Sequence, residues 1–175
     1  RKIELVHRDS QTDPTAGIDA AKKLVELDKV VAIVGALSSG VTIPVATSVT
    51  IPSGIVQISP ASTSPQITDL QDNDWLFRTS PSDALQGKVS GRLAKTLGFQ
   101  TVSTIYVNNP YGSGLAKTFG QTLSEHGGKV VATVAYEEGR PSYRGELEQA
   151  LKSKPQAIAL FSYPENGVTL IRQAL

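Results

Sequence analysis

The chain has 175 residues, of which 39% are hydrophobic and 19% charged, which suits one large domain or two smaller lobes of a globular protein. Its net charge of +1 gives no basis for a nucleic-acid partner, and without cysteine it has neither disulfides nor a thiol nucleophile. His7 and His126 are its only histidines, and no apolar run approaches the ~20 residues of a membrane span, so no metal site, other cofactor or transmembrane helix is predicted.

Strand and helix patterns alternate from the start of the chain. Lys2–Arg8 is predicted to be a strand. Asp13 followed by Pro14 predicts the start of a helix, because aspartate is a favoured N-cap and proline is favoured at the first helical position. The β-branched run Val30–Val34 is typical of a strand that is buried on both faces.

A loop and a second helix are predicted after this strand. The loop is Gly35–Gly40, and the helix is expected to begin at Ser39 or Gly40, or to be kinked, because Pro44 fits only near a helix start. Further extended segments are predicted at Ile55–Ser59 and Trp75–Thr79.

The second half of the chain repeats the pattern. Ser80, Pro81 and Asp83 predict a helix start, and Gly98 is expected to end that helix. Apolar residues recur at every fourth position along it, at Leu85, Val89, Leu93 and Leu97. Strands are then predicted at Val102–Val107, Val130–Tyr136 and Ala157–Tyr163, alternating with helices that end at Gly127, begin after Ser142 and span Gly167–Leu175.

This order corresponds to about six βα units, which predicts an α/β fold with parallel sheets and helices on both faces. In such folds a ligand binds beyond the carboxyl ends of the strands. The candidate segments for a binding site are therefore the loops that follow strands, namely Gly35–Gly40, Ser59–Pro65, Val107–Gly114 and Ser162–Gly167.

Two of these loops are rich in hydroxyl side chains. In Gly35–Gly40, Ser38 and Ser39 could help a helix N-terminus to bind a carboxylate or phosphate, or could simply cap the helix. In Ser59–Pro65, Thr63 could contact the polar part of a ligand, although turn chemistry alone could explain the serines and prolines. Each loop taken alone leaves both interpretations open.

The other two loops carry tyrosines. Tyr111 and Tyr163 could stack on a ligand or donate hydrogen bonds, but a tyrosine at a strand end also occurs as ordinary packing. Gly112 and Gly114 resemble part of a dinucleotide-binding fingerprint, but the third glycine that it requires is replaced by Lys117. A nucleotide cofactor is therefore not predicted.

The sequence contains no evident catalytic set. There is no Ser/His/Asp order with supporting loop motifs, and no pair of carboxylates follows the strands. Neutral polar groups and aromatic rings at strand ends favour recognition of a ligand over bond cleavage. We therefore predict a ligand-binding protein and not an enzyme.

Six segments are informative when taken together: KIELVHRDSQTDP, VVAIVGALSSGVT, ISPASTSPQIT, WLFRTSPSDALQG, VNNPYGSGLAKTF and the closing RQA. They resemble the leucine/isoleucine/valine-binding protein family, the type I periplasmic solute-binding proteins of ABC importers. The resemblance covers essentially the whole chain, in order and with compatible spacing. It implies two Rossmann-like lobes, residues 1–80 and residues 81–175, joined by a hinge near residues 79–82 that closes on a ligand.

The resemblance assigns roles to five residues that lie on the four loops. Ser39 matches a serine whose hydroxyl binds the α-carboxylate of an amino acid. Ala61 matches a residue that offers its backbone carbonyl to the α-ammonium group, and Thr63 matches a threonine that contacts the same polar groups. Tyr111 and Tyr163 match aromatic residues of the second lobe that cover the ligand when the protein closes.

The resemblance also implies that parts of the family fold lie outside this chain. The family's first strand and helix would precede Arg1, and the acidic residue that pairs with the ligand's ammonium group would follow Leu175. We therefore expect a fragment, in which strand edges and apolar faces next to the first strand's place are uncovered. Thr12 and Ser38 match positions that form a disulfide in some members, and neither is cysteine here.

The implied function is that of the extracytoplasmic substrate-binding component of an ABC importer. Its ligand would be an amino acid, branched-chain or related, or a similar small polar solute, and its partner would be the importer's membrane permease. It would be periplasmic, or an extracellular lipoprotein. The alternative is a ligand-sensing receptor or regulatory domain of the same fold, specific for an amide or a small acid, because fold does not fix function.

Overall fold

The computed structural model describes residues 2–175. The chain divides into two compact units, the first ending at Pro81 and the second beginning at Ser82. Each unit contains a parallel sheet with helices packed against it, which confirms the predicted α/β fold class. The lobe boundary at residues 80/81 and the hinge near residues 79–82 remain predictions. Within residues 2–175, no helix combines the length and apolar character needed to cross a lipid bilayer.

Strands and helices alternate over most of the described chain. The strands are β1 (Ala32–Val34), β2 (Val56–Ser59), β3 (Leu76–Arg78), β4 (Thr101–Val107), β5 (Lys129–Tyr136) and β6 (Ala157–Phe161). The helices are α1 (Pro14–Glu26), α2 (Ser39–Val45), a π-helical segment (Ala46–Thr50), α3 (Ile51–Ser53), α4 (Gln66–Asp69), α5 (Asp83–Thr96), α6 (Pro110–Glu125), α7 (Arg144–Leu151) and α8 (Pro164–Ala174).

The sheet of the first unit has three parallel strands in the order β1-β2-β3. Helix α1 begins as predicted, since the Asp13 carboxylate accepts a hydrogen bond from the Ala16 N–H at 2.7 Å and Pro14 is the first helical residue. The core of this unit lies between α1, α2 and the sheet and includes Ala21, Ile33, Val41, Val45 and Val49.

The prediction of a strand over Lys2–Arg8 is wrong. Residues 2–10 have no regular secondary structure, because a strand needs a hydrogen-bonded neighbour. A groove of about 920 Å³, lined by residues 3–8 and 28–34, separates this segment from β1. Its apolar side chains are left uncovered, and Ile3 and Leu5 are 89% and 75% exposed.

The prediction that Val30–Val34 is buried on both faces is also wrong. Only Ala32–Val34 is a strand, and only Ile33 within it is buried, whereas Val31 and Val34 are 88% and 80% exposed. The physical reason is that β1 pairs with β2 on one side only and is covered on one face only, where Ile33 meets the core.

The helix after β1 begins at Ser39, as expected. Pro44 lies inside α2, and the residues after it, Ala46–Thr50, form a π-helical segment. A proline inside a helix lacks the N–H that would bond the preceding turn, so irregular helix geometry is expected there. Gly54, in the left-handed conformation with φ of 64°, ends this helical stretch before β2.

The sheet of the second unit has the order β5-β4-β6, so that β4 is its central strand. Apolar residues on the two faces of β4 contact two cores, one around Ile105 and one around Val102. Helix α7 begins at Arg144 and not directly after Ser142, and α8 begins three residues before the predicted start. The earlier start of α8 follows from Pro164, which is well suited to the first turn of a helix.

Helix α5 differs from the prediction at its start. Its N-cap is Ser82, whose Oγ accepts a hydrogen bond from the Ala84 N–H at 3.2 Å, and not Ser80. Gly87 and Gly91 lie against α6, where a Cβ on Gly91 would stand 2.8 Å from the Thr122 Cβ. The four apolar residues spaced by four lie away from this contact and are 55–61% exposed: Leu85, Val89, Leu93 and Leu97.

Candidate functional site

In the first unit, the loops that follow β1 and β2 are joined by hydrogen bonds at the carboxyl edge of the sheet. Ser59 Oγ donates to the Ala36 carbonyl at 2.6 Å, and Ser62 Oγ donates to the Leu37 carbonyl at 3.0 Å. Ser59 Oγ also accepts from the Ser62 N–H at 2.9 Å. Ser59 and Ser62 are buried, so these bonds hold the two loops in one fixed arrangement.

A buried glutamine of β2 supports the loop that follows β1. Gln57 is completely buried, and its Nε2 donates to the carbonyls of Gly35 at 3.1 Å and Thr42 at 3.3 Å. Its Oε1 accepts from Thr50 Oγ1 at 2.7 Å. Sequence reasoning missed Gln57, although an amide in the middle of an apolar strand was an available signal, because such a group must be hydrogen-bonded when buried.

The structure separates the roles of the two adjacent serines. Ser38 is the N-cap of α2, and its Oγ accepts from the Gly40 N–H at 3.2 Å. Ser39 is the first helical residue, is 1% exposed, and its Oγ accepts from the Ser64 N–H at 3.1 Å. A serine hydroxyl also carries its own O–H donor. Capping therefore explains Ser38, whereas Ser39 joins the two loops.

Ala61 and Thr63 lie on the second of these loops. Ala61 is exposed and Thr63 half-buried, while Ser62 and Ser64 are buried. Arg78, at the end of β3, fixes the end of this loop through a 2.7 Å hydrogen bond from Nη1 to the Ser64 carbonyl. The fold thus brings Ser39, Ala61 and Thr63 to one edge of the first sheet, while their ligand-binding roles remain predictions.

In the second unit, the two tyrosines form a stacked pair. Tyr111 lies in the first turn of α6 after β4, and Tyr163 precedes α8 after the neighbouring strand β6. Their ring centroids are 5.3 Å apart, with an angle of 17° between the ring planes. Both rings are half-buried, so each combines packing with an accessible surface.

Asn109 connects this pair and was missed by sequence reasoning. It is the N-cap of α6, and its Oδ1 accepts from the N–H groups of Tyr111 and Gly112, both at 3.0 Å. Its Nδ2 donates to Tyr163 Oη at 3.2 Å. An asparagine directly before a proline was a signal for the cap, but no sequence signal indicated the bond to Tyr163, which lies 54 residues away.

Gly112, in the first turn of α6, is explained by packing against β4. A Cβ at Gly112 would stand 2.2 Å from the Val107 carbonyl oxygen, so the close approach of α6 and β4 requires glycine.

No group of His, Cys, Asp or Glu side chains within residues 2–175 is arranged to hold a metal ion.

Burial governs the ionisation of groups near the tyrosine pair. Desolvation, with a smaller contribution from Asp83 and Tyr163, raises the pKa of Tyr111. Desolvation also raises the pKa of Glu138, and a hydrogen bond from Asn109 partly opposes that rise. The tyrosine hydroxyl at position 111 is therefore neutral near pH 7 and acts as a hydrogen-bonding group, not as a phenolate.

Comparisons with known proteins agree with this architecture. An amino acid binding protein of Pseudomonas aeruginosa is 33% identical over 98% of this chain and 46% of its own length. A leucine-, isoleucine-, valine-, threonine- and alanine-binding protein of the same species is 30% identical over 99% and 46%. A chemotactic signal transduction system substrate-binding protein, BasB, of Halobacterium salinarum is 28% identical over 98% and 42%. The chain thus spans about half the length of these relatives.

A solved structure and a family model extend the comparison. The leucine binding protein LivK of Thermotoga maritima superimposes with a TM-score of 0.90 at 28% identity, covering 98% of this chain and 48% of its own. This confirms the type I periplasmic binding fold expected from the sequence. The model of the family described as periplasmic binding protein matches residues 1–175. The chain therefore belongs to the periplasmic binding protein family.

Proposed function

We propose that the protein containing this chain is the non-enzymatic, extracytoplasmic substrate-binding component of an ABC importer. Its ligand would be an amino acid, branched-chain or related, or a similar small polar solute. The observation that carries the proposal is the buried Ser39 hydroxyl, fixed between two loops at the carboxyl edge of a parallel sheet. The names of the curated relatives support this ligand class.

The first unit would bind the polar end of the ligand. Ser39 Oγ, which accepts from Ser64, would donate its own hydrogen to a carboxylate. Thr63 would contact the same group, and the exposed Ala61 would offer its backbone carbonyl to an ammonium group. The hydrogen bonds that join the two loops would hold these groups in place before the ligand arrives, which lowers the entropic cost of binding.

The second unit would contribute the stacked rings of Tyr111 and Tyr163. Their half-buried faces would cover apolar parts of the ligand and exclude water. The protein would release its ligand to a membrane permease. It would be periplasmic or anchored to a membrane by a lipid.

Isothermal titration calorimetry of the full-length protein tests the ligand class. Leucine, isoleucine and valine would be compared with an amide and with an aromatic acid. Binding of at least one amino acid is the expected result. If none of these compounds binds, the proposal is wrong.

A pair of serine variants tests the role of Ser39. Ser39→Ala should weaken a carboxylate ligand by about 1–3 kcal/mol, the cost of leaving a buried polar group without its partner. Ser38→Ala is the matched control, because Ser38 caps the helix and should affect stability more than affinity. Equal affinities of wild type and Ser39→Ala would remove Ser39 from the site.

A second candidate function is supported by one relative. The Halobacterium salinarum protein is named as a substrate-binding protein of a chemotactic signal transduction system. The same site could therefore serve a sensor that reports the ligand to a signalling partner. Co-purification of the full-length protein from its native membrane would distinguish the two: a permease supports the importer, and a transducer supports the sensor.

A further inference from the structure

Asn109 lies at the end of the central strand of the second sheet, where the ends of all three strands are close. The Asn108 N–H donates to the carbonyl of Tyr136 at the end of β5, at 2.8 Å, and the Asn109 side chain reaches Tyr163 beyond β6. The Asn109 side chain thus contacts residues that follow both flanking strands, with hydrogen bonds to Glu138 after β5 and to Tyr163 after β6.

The two ends of the Asn109 amide have different tasks. The oxygen caps α6 and so fixes the backbone that carries Tyr111. The nitrogen donates to the hydroxyl of Tyr163, a residue that precedes α8 and has no side-chain capping bond of its own. An amide has both a donor and an acceptor, so asparagine can do both at once, whereas serine offers one short hydroxyl.

We propose that Asn109 is a positioning residue, which holds the rings of Tyr111 and Tyr163 in their stacked geometry for ligand binding. The inference rests on the proposed function of the tyrosine pair. It extends that function by naming the group that sets the distance and angle between the rings.

Capping and positioning can be separated by mutation. Asn109→Ser keeps a favoured N-cap residue but is too short to reach Tyr163 Oη. Tyr163→Phe breaks the same bond from the other side and keeps the ring. If the bond positions the ring, the two substitutions act on one interaction, and their effects will not add in the double variant.

The first measurement needs no ligand. Nuclear Overhauser effects between the ring protons of residues 111 and 163 would be recorded for four full-length proteins. These are wild type, Asn109→Ser, Tyr163→Phe and the double variant. We expect the ring–ring signal to weaken in Asn109→Ser and to fall no further in the double variant than in Tyr163→Phe. An unchanged signal in Asn109→Ser would overturn the inference.

The second measurement is the affinity for L-leucine across the same variants. Asn109→Ser should weaken binding about three- to tenfold, as expected for the loss of one orienting hydrogen bond, and should have no further effect in the Tyr163→Phe background. Additive losses would show that Asn109 does not act on affinity through Tyr163, which would contradict the inference. Asp13→Ala, which removes the cap of α1, is the control that lowers stability without changing affinity.

The results that would refute the proposed function differ from those that would refute the role of Asn109. If Tyr111→Ala and Tyr163→Ala bind L-leucine like wild type, or if wild type binds none of leucine, isoleucine, valine, the amide and the aromatic acid, the ligand role of the pair is wrong. The ring–ring signal still decides whether Asn109 positions the rings.

Discussion

Ser39 Oγ accepts a hydrogen bond from the backbone N–H of Ser64 at 3.1 Å, and both residues are buried. This bond links the start of α2 to the loop after β2, two segments that are 25 residues apart in the chain. The residue assigned to ligand binding is therefore also part of the framework of the first unit.

Replacing Ser39 with alanine should consequently destabilise the protein even without ligand. The Ser64 N–H would lose its acceptor while remaining buried, which costs about 1–3 kcal/mol of the free energy of unfolding. Urea denaturation measures this change, with Ser48→Ala as the control because Ser48 is exposed on the same helical stretch. Equal unfolding midpoints for the two variants would contradict the assigned role of the Ser39–Ser64 bond.

Replacing Gln57 with leucine should destabilise the first unit by about 2–4 kcal/mol, because Thr50 and two backbone carbonyls would lose buried partners. Thr50→Val should cost less, since it removes one of these bonds. In the double variant the cost should be smaller than the sum, because both changes remove the Thr50–Gln57 bond. Chemical denaturation of the four proteins tests this, and strictly additive losses would argue against the network.

Gly91→Ala should destabilise the second unit by about 1–3 kcal/mol, as expected for overpacking of a tight contact. The added Cβ would lie 2.8 Å from the Thr122 Cβ and 3.0 Å from the Phe119 carbonyl oxygen, so α5 and α6 would have to separate. Gly145→Ala is the matched control, because its Cβ would meet nothing within 4 Å in α7. Thermal unfolding should show a lower midpoint for Gly91→Ala alone, and a normal midpoint would contradict the close packing of the two helices.

Tyr136 should make stability depend on pH in the alkaline range. Burial raises its pKa from 10.0 to about 12, and the ring is 1% exposed with its hydroxyl bonded to Ser162. Because the folded state holds the proton more tightly, this contribution to stability is full below pH 10 and is lost as the pH rises from about 10 to 12. Urea denaturation across this range would measure the loss.

Tyr136→Phe provides the comparison for that experiment. It should be less stable than wild type near pH 7, by about 1 kcal/mol for the lost hydrogen bond, but its stability should fall less between pH 10 and 12. If the free energy of unfolding falls equally in the two proteins over this pH range, Tyr136 does not titrate as inferred.

Much of the fold could be predicted from local patterns. The starts of α1 at Pro14 and of α2 at Ser39, and the end of α5 before Gly98, follow from capping preferences of single residues. The alternation of strands and helices followed from hydrophobic patterning and predicted parallel sheets. The loops that carry the five candidate residues followed in turn from the rule that ligands bind beyond the carboxyl ends of strands.

Burial was less predictable, because it depends on what covers a surface. Val31 and Val34 are β-branched and apolar, which favours burial, yet they are exposed because β1 has one neighbour and one covered face. Leu85 and Leu93 have helical spacing, yet α5 turns Gly87 and Gly91 towards α6 because only glycine permits so close a contact.

By itself, the sequence determined the α/β class, the order of most elements and the loops that are proposed to bind a ligand, because these depend on interactions between residues that are near one another in the chain. The tertiary structure alone decided that Ser39 bonds to Ser64, that Gln57 bonds to Gly35, and that Asn109 reaches Tyr163. These bonds join residues 22 to 54 positions apart, and only the pairing of parallel strands brings such residues within hydrogen-bond distance.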